Sequence, residues 1–141
     1  MNCGFCHEEI LVRRLRKVAE ECGATVHSEQ PVRMDGTVSY ADLVMTKDGR
    51  ITVCEPEQSR HRVSNDVRKA VAIGAQLLLI VTPDSLTAQS CRRQLRRCPP
   101  LDAKLKVIVC PLGSALEILR QTLSAGSSRP ASLPPNDRKD T

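Results

Sequence analysis

The sequence predicts one α/β domain built on a mixed central sheet flanked by helices, and three observations carry that expectation. Two Asp-Gly pairs, Asp35-Gly36 and Asp48-Gly49, separate three consecutive extended stretches in the first half, the pattern of an antiparallel meander. In the second half apolar runs alternate with amphipathic helical segments, which implies right-handed crossovers and parallel pairing. The 141 residues suffice for one core of ordinary size and are too few for two.

Each element follows from a local pattern. Ile10, Leu11, Leu15, Val18, Ala19 and Cys22 recur at helical spacing among Arg13, Arg14, Arg16, Lys17, Glu20 and Glu21, and Gly23 ends that helix. The extended stretches run roughly from Ala24 to Met34, Ser39 to Thr46 and Ile51 to Glu57. A second helix, about Arg60 to Ile73, buries Val63, Val67, Ala70 and Val71 and closes at Gly74. The run Leu77 to Val81 is a buried strand. Asp84 or Ser85 caps a third helix carrying Leu86, Cys91 and Leu95, which Pro99-Pro100 stops. A strand from Leu105 to Cys110 and a helix from about Ser114 to Leu123 complete the order α-β-β-β-α-β-α-β-α. Residues 1–7 are expected to be an N-terminal extension and 8–123 the domain. Residues 124–141, rich in Pro and Ser, are too poor in apolar side chains to repay ordering and are expected to be a disordered tail.

Composition narrows the function. Lysine and arginine number 21 against 16 aspartates and glutamates, a formal charge of +5 that favours an acidic partner. With one Tyr, one Phe and no Trp, an aromatic platform for stacking bases is nearly excluded. No apolar run is long enough for a membrane span, and the N-terminus lacks the basic start and apolar middle of a secretory signal, so a cytoplasmic protein is expected. The 7 cysteines make an odd number, and several fall at apolar positions of periodic segments, which reads as reduced core residues.

The informative segment is the hairpin Tyr40 to Glu57. A two-residue turn at Asp48-Gly49 sets Lys47 opposite Arg50 and, by counting back, Asp42 opposite Glu55. Alternation puts Tyr40, Asp42 and Val44 on one face with Val53, Glu55 and Glu57. Three carboxylates so placed repel unless a cation lies between them, and hard oxygen ligands suit magnesium or manganese. The competing reading is a strand end with solvated acids, and a one-residue slip would put Asp42 on the other face.

Asp42 in the second strand and Glu55-Pro56-Glu57 ending the third, before a helix and a buried strand, resemble the PD-(D/E)XK nuclease superfamily over roughly Glu8 to Pro83. The resemblance implies a restriction endonuclease-like fold and a magnesium- or manganese-dependent deoxyribonuclease. Asp42 and Glu55 would bind the metal, and Glu57 would join them as a third ligand or as a base orienting water. Two positions depart from the family pattern. Ala41 replaces the usual Pro, and Glu57 stands at the lysine position, where some restriction endonucleases of the superfamily also carry glutamate. Arg60, Arg62 and Lys69 are the candidates for the missing cation. An additional helix-borne glutamate would be Glu8, Glu9 or Glu20, with Glu29 of the first strand as another candidate.

DNA is the expected partner. Gln58, Arg60, Arg62 and Lys69, just beyond the acidic motif, are the candidate nucleic-acid contacts, and clustered basic residues predict salt-sensitive binding. Arg92, Arg93, Arg96 and Arg97 read rather as a solvated helix face. Little room remains for a separate sequence-reading domain, so specificity would come from DNA structure, a homodimer or a protein partner. Two alternatives stand beside the nuclease: a nuclease-like domain without cleavage, serving DNA binding or protein docking, and a doubly wound binding domain with solvent-facing acids. Against the last, no Gly-rich phosphate loop follows any strand. Cys3-Gly4-Phe5-Cys6-His7 matches a haem-attachment pattern, but that chemistry goes with export. A zinc knuckle from Cys3, Cys6 and His7 lacks a second close cysteine pair, and a chance cluster is the simpler reading.

Overall fold

The computed structural model describes residues 3–97 and 102–128. Helix α1 (Cys3–Glu21) precedes strands β1 (Thr25–Met34), β2 (Thr37–Lys47) and β3 (Arg50–Pro56). A 3-10 turn (Arg60–Arg62) leads into α2 (Val63–Ile73), followed by β4 (Leu77–Thr82), α3 (Ser85–Arg97), β5 (Lys106–Pro111) and α4 (Leu112–Ser128). Of the expected tail 124–141, residues 124–128 continue α4, and the rest, with the side chains of Cys3, Cys6, His7 and Glu8, lies outside the described residues.

The five strands form one sheet in sequence order. The Asp-Gly pairs make the turns because both residues of each adopt positive φ, 51° and 80° at Asp35-Gly36 and 52° and 77° at Asp48-Gly49, the geometry a two-residue hairpin of type I′ demands. The pairs Met34↔Thr37 and Lys47↔Arg50 then close the two hairpins, and register propagates from them. β3 is antiparallel to β2 on one side and parallel to β4 on the other, and β4 is parallel to β5.

A helical layer covers each face. On one side α1 and α4 pack Leu11, Leu15, Val18, Ala19, Leu116 and Leu119 on Leu43, Met45, Cys54, Leu79 and Val81. On the other, α2 and α3 pack Val63, Val67, Ala70, Ala88 and Cys91 on Val44, Val53, Leu78, Ile80 and Val109. The parallel strand β4, buried along its whole length, is apolar from Leu77 to Val81, as a strand covered on both faces tends to be, and ends on the buried Thr82. The thiols of Cys54, Cys91 and Cys110 are free and buried, as their apolar periodicity predicts, and Cys22 is free and half-buried.

Three side chains expected in the core are exposed instead: Ile10, Val71 and Leu86. Each stands off its helix's buried stripe. Ile10 and Val71 are one residue, about 100° of rotation, from Leu11 and Ala70, and Leu86 is about 200° from Ala88.

Lys47, the last residue of β2, ties the two helices of one layer to the sheet. Its ammonium donates to the carbonyls of Cys22, just past α1, and of Leu123 in α4, the latter at 3.0 Å. A carbonyl just past a helix end needs a donor, and a cation at Cys22 also suits the dipole of α1. Lys47→Met is expected to lower stability by about 1–2 kcal/mol, read as the urea midpoint at constant m-value. An unchanged midpoint would show that water replaces the ammonium without loss.

The order α-β-β-β-α-β-α-β-α, with an antiparallel meander passing into parallel strands and helices on both faces, is that of the restriction endonuclease-like fold.

Candidate metal centre

The site forms where the end of β3 meets α2. Within β3, Val53 faces the α2 layer, and Glu55, two residues on, faces the same way beside Ile80 of β4. Pro56 has no N–H to donate, and the ladder resumes at Glu57, whose N–H donates to the Val81 carbonyl at 2.8 Å. That bond pins Glu57 to the end of β4. From α2, Asp66 and Lys69 fall on the buried stripe of Val63, Val67 and Ala70 and point at the sheet.

These residues converge out of water. Glu55 is 1% exposed, Glu57 8%, Asp66 0% and Lys69 2%. One carboxylate oxygen from each of Glu55, Glu57 and Asp66 lies within 4.8 Å of the others. The Lys69 ammonium sits 3.1 Å from Glu55 Oε2 and 3.5 Å from Asp66 Oδ1, and donates to the Tyr40 carbonyl at 2.8 Å. Asp42 stands beside Glu55 as the hairpin register requires, its backbone N–H 3.4 Å from Glu55 Oε1, and outside the tight group of three.

Three carboxyls face one ammonium, and the imbalance shows in their acidity. Burial pushes the Glu55 carboxyl above the usual range and the Asp42 charge adds to the rise, while Lys69 opposes it. Asp66 is also pushed up, by burial first, then by its contact with Glu57 and by the charges of Glu57 and Glu55. Beyond the Lys69 ammonium, neither Asp66 oxygen nor Glu55 Oε2 has a hydrogen-bond donor. Buried orphan oxygens at this spacing call for a shared proton or a cation. The donor set fits a divalent metal: three oxygens from two elements, with Asp42 adjacent. Cys91 of α3 is near enough to feel Glu57 and Asp66, and burial and those charges push its thiol up to about 11; the atoms that converge are the carboxylate oxygens.

Of the residues the sequence nominates, Glu55 and Glu57 are brought together and Asp42 is set next to them. Lys69 is placed differently from Arg60 and Arg62. It is buried with its ammonium engaged by the acids, whereas Gln58, Arg60, His61 and Arg62 are exposed on the turn after Glu57. Ser59 shapes that turn by accepting from the His61 N–H, and the turn packs on α2 and α3. Glu9 and Glu20 are exposed and paired with Arg13 and Arg16 of the same helix, and Glu29 is exposed on β1. The additional acid is Asp66, which no sequence reading had nominated. Its signal is its spacing, three residues after Val63 and four before Ala70, on the stripe it shares with Val67 and Lys69. In the arginine cluster of α3, Arg92 donates to the Val109 carbonyl at 2.7 Å, and Arg93, Arg96 and Arg97 are exposed.

No helix among the described residues is long and apolar enough to cross a membrane. No family model and no curated protein matches the chain. Among solved structures it is similar to the crystal structure of a protein of unknown function, AF1548, at 12% identity and a TM-score of 0.49. The likeness covers 70% of this chain and 57% of that one, so the chain spans little more than half of that protein's length.

Proposed function

We propose that the protein is a divalent-metal-dependent deoxyribonuclease of the PD-(D/E)XK type, using magnesium or manganese. The observation that carries this reading is the buried Glu55, Glu57, Asp66 group with Lys69 against it, at the end of β3 in a restriction endonuclease-like sheet. Glu55, Glu57 and Asp66, with Asp42 beside them, would hold the metal, which when bound polarises a phosphoryl oxygen and lowers the pKa of a water. Lys69 supplies from α2 the cation that the Glu57 position lacks, and its tie to the Tyr40 carbonyl fixes the ammonium relative to Asp42. Glu57, the least buried of the three acids, is the group to orient the attacking water. Gln58, Arg60 and Arg62 would meet the phosphate backbone on the exposed turn.

One observation favours a second reading, a nuclease-like module that binds DNA or docks a protein without cutting. Glu55 is already ion-paired and almost fully enclosed, as in a structural cluster. Labelled single-stranded, duplex and branched DNA incubated with magnesium or manganese separates the two, with Asp42→Ala and an EDTA control alongside. Cutting that needs metal and falls at least about 100-fold in Asp42→Ala is the expected result. Metal-independent DNA binding with no cutting of any substrate would leave the binding module.

A further inference from the structure

At the far end of the sheet from the acids, a cleft of about 350 Å³ opens between the strand starts and the C-terminal part of α4. Its volume is at the lower end of what small-ligand pockets occupy, about 300–1,000 Å³. Register explains its lining. Lys47 and Arg50 are cross-strand partners, and Thr52, Leu77 and Lys106 form a row across three strands, so all five belong to the α4 side of the sheet. α4 closes the cleft with Ile118, Gln121, Thr122 and Leu123.

The charge of this lining is one-sided. Lys47, Arg50 and Lys106 bring three cations, and no carboxylate lines the cleft. Lys47 gives two of its three donors to the carbonyls of Cys22 and Leu123. Arg50 and Lys106 have no ion pair among the described residues, and both are exposed. Between the cations lies an apolar floor of Leu77, Ile108 and Ile118. The frame is fixed by backbone, since Gln76 bonds the Ile51 N–H through Oε1 at 2.6 Å and accepts from the Lys106 N–H at 3.0 Å through its own carbonyl.

We propose that this cleft binds a small phosphate monoester with an apolar ring system, of mononucleotide size. Arg50 and Lys106 match the nearly double negative charge of a monoester at neutral pH, the guanidinium forking two of its oxygens. The third donor of Lys47 and the Thr122 hydroxyl complete the anion's shell, and the isoleucine and leucine floor takes the ring. A fully basic lining without the floor would suit inorganic phosphate alone, and the floor without the cations would suit a neutral nucleoside. The site is independent of the acidic centre. It shares no residue with that centre and holds whether or not the protein cleaves DNA.

Calorimetric titration of the full chain tests this with adenosine monophosphate, adenosine and inorganic phosphate as probes. Adenosine monophosphate is expected to bind more tightly than either fragment. Binding should weaken about tenfold or more in each of Arg50→Ala and Lys106→Ala, exposed positions whose truncation leaves the thermal midpoint unchanged. A 5′-phosphorylated trinucleotide serves as a further arm. Tighter binding by it, still lost in both variants, assigns the monoester to a nucleic-acid end, and weaker binding assigns it to a free mononucleotide. No heat with the monophosphate, or the same affinity in both variants, would overturn the proposal.

Discussion

Lys69→Met is expected to destabilise the metal-free protein by about 3–5 kcal/mol, the loss typical of stripping one partner from a buried ion pair. The ammonium touches Glu55, Asp66 and the Tyr40 carbonyl, so its removal leaves two enclosed carboxyls and a carbonyl without their cation. For a chain of this size that corresponds to a fall of roughly 10–15 °C in the thermal midpoint. Met keeps the length of the stem, so packing contributes little to the loss. The check is a double-mutant cycle with Glu55→Gln, which removes one of the charges Lys69 balances. The double variant should recover a large part of the stability, with a coupling of at least about 1 kcal/mol. Additive losses would mean that the two side chains do not interact in solution and that the buried pair is not the organising feature of the site.

Asp66→Asn is expected to act in the opposite direction on stability while abolishing metal-linked behaviour. Asp66 has two buried oxygens, one of them 3.5 Å from the Lys69 ammonium and the other without a donor, and a Glu57 carboxyl in front of them. An amide of the same shape can donate to Glu57 and carries no charge, so the metal-free protein should be as stable as the parent or more stable by about 1–3 kcal/mol. The parent should gain about 2.7 kcal/mol when manganese or magnesium is supplied at a hundred times its dissociation constant, and EDTA should reverse the gain. In Asp66→Asn that gain should largely disappear, and metal-dependent cleavage should fall at least about 100-fold. Scanning fluorimetry with and without metal and EDTA reads the first effect, and the cleavage assay reads the second. A metal-induced shift of parental size in the variant would remove Asp66 from the ligand set. A strongly destabilised metal-free variant would mean that its carboxyl serves the fold rather than a cation.

The meander was legible because its turns are chemically unambiguous. Asp-Gly twice in a row of extended stretches fixes two-residue turns, and from Lys47 opposite Arg50 the neighbourhood of Asp42 and Glu55 follows by counting. The crossover half was legible from apolar runs alternating with helical segments, down to the apolar run Leu77 to Val81 of β4. Of what α2 contributes, Lys69 is among the candidate cations and Asp66 is not legible. An apolar stripe of Val63, Val67, Ala70 and Val71 leaves no place for a buried acid. The helix instead turns Val71 outward and Asp66 and Lys69 inward. A buried ionic pair cannot be seen in hydrophobic periodicity, because each charge is tolerated only through a partner on another element, here Glu55 on β3. The cleft at the opposite end escaped for a related reason. Lys47, Arg50 and Lys106 belong to three strands and read singly as ordinary surface cations.

The position of β3 at the seam between the two kinds of pairing bears on the order of assembly. Each hairpin of the meander closes from neighbours in the chain such as Lys47↔Arg50, whereas β3 pairs with β4 only across the α2 crossover, from Thr52 to Leu77, and that pairing completes the enclosure of Glu55 with Asp66 and Lys69. Closure of the longer kind is slower, so the hairpins are expected to form first and the acids to be sealed from water after them. Changes at Lys69 and Asp66 then act on the escape rate from the native state and leave the refolding rate nearly untouched. A bound cation, gripping β3 and α2 at once, would lengthen the lifetime of the folded chain without hastening its formation.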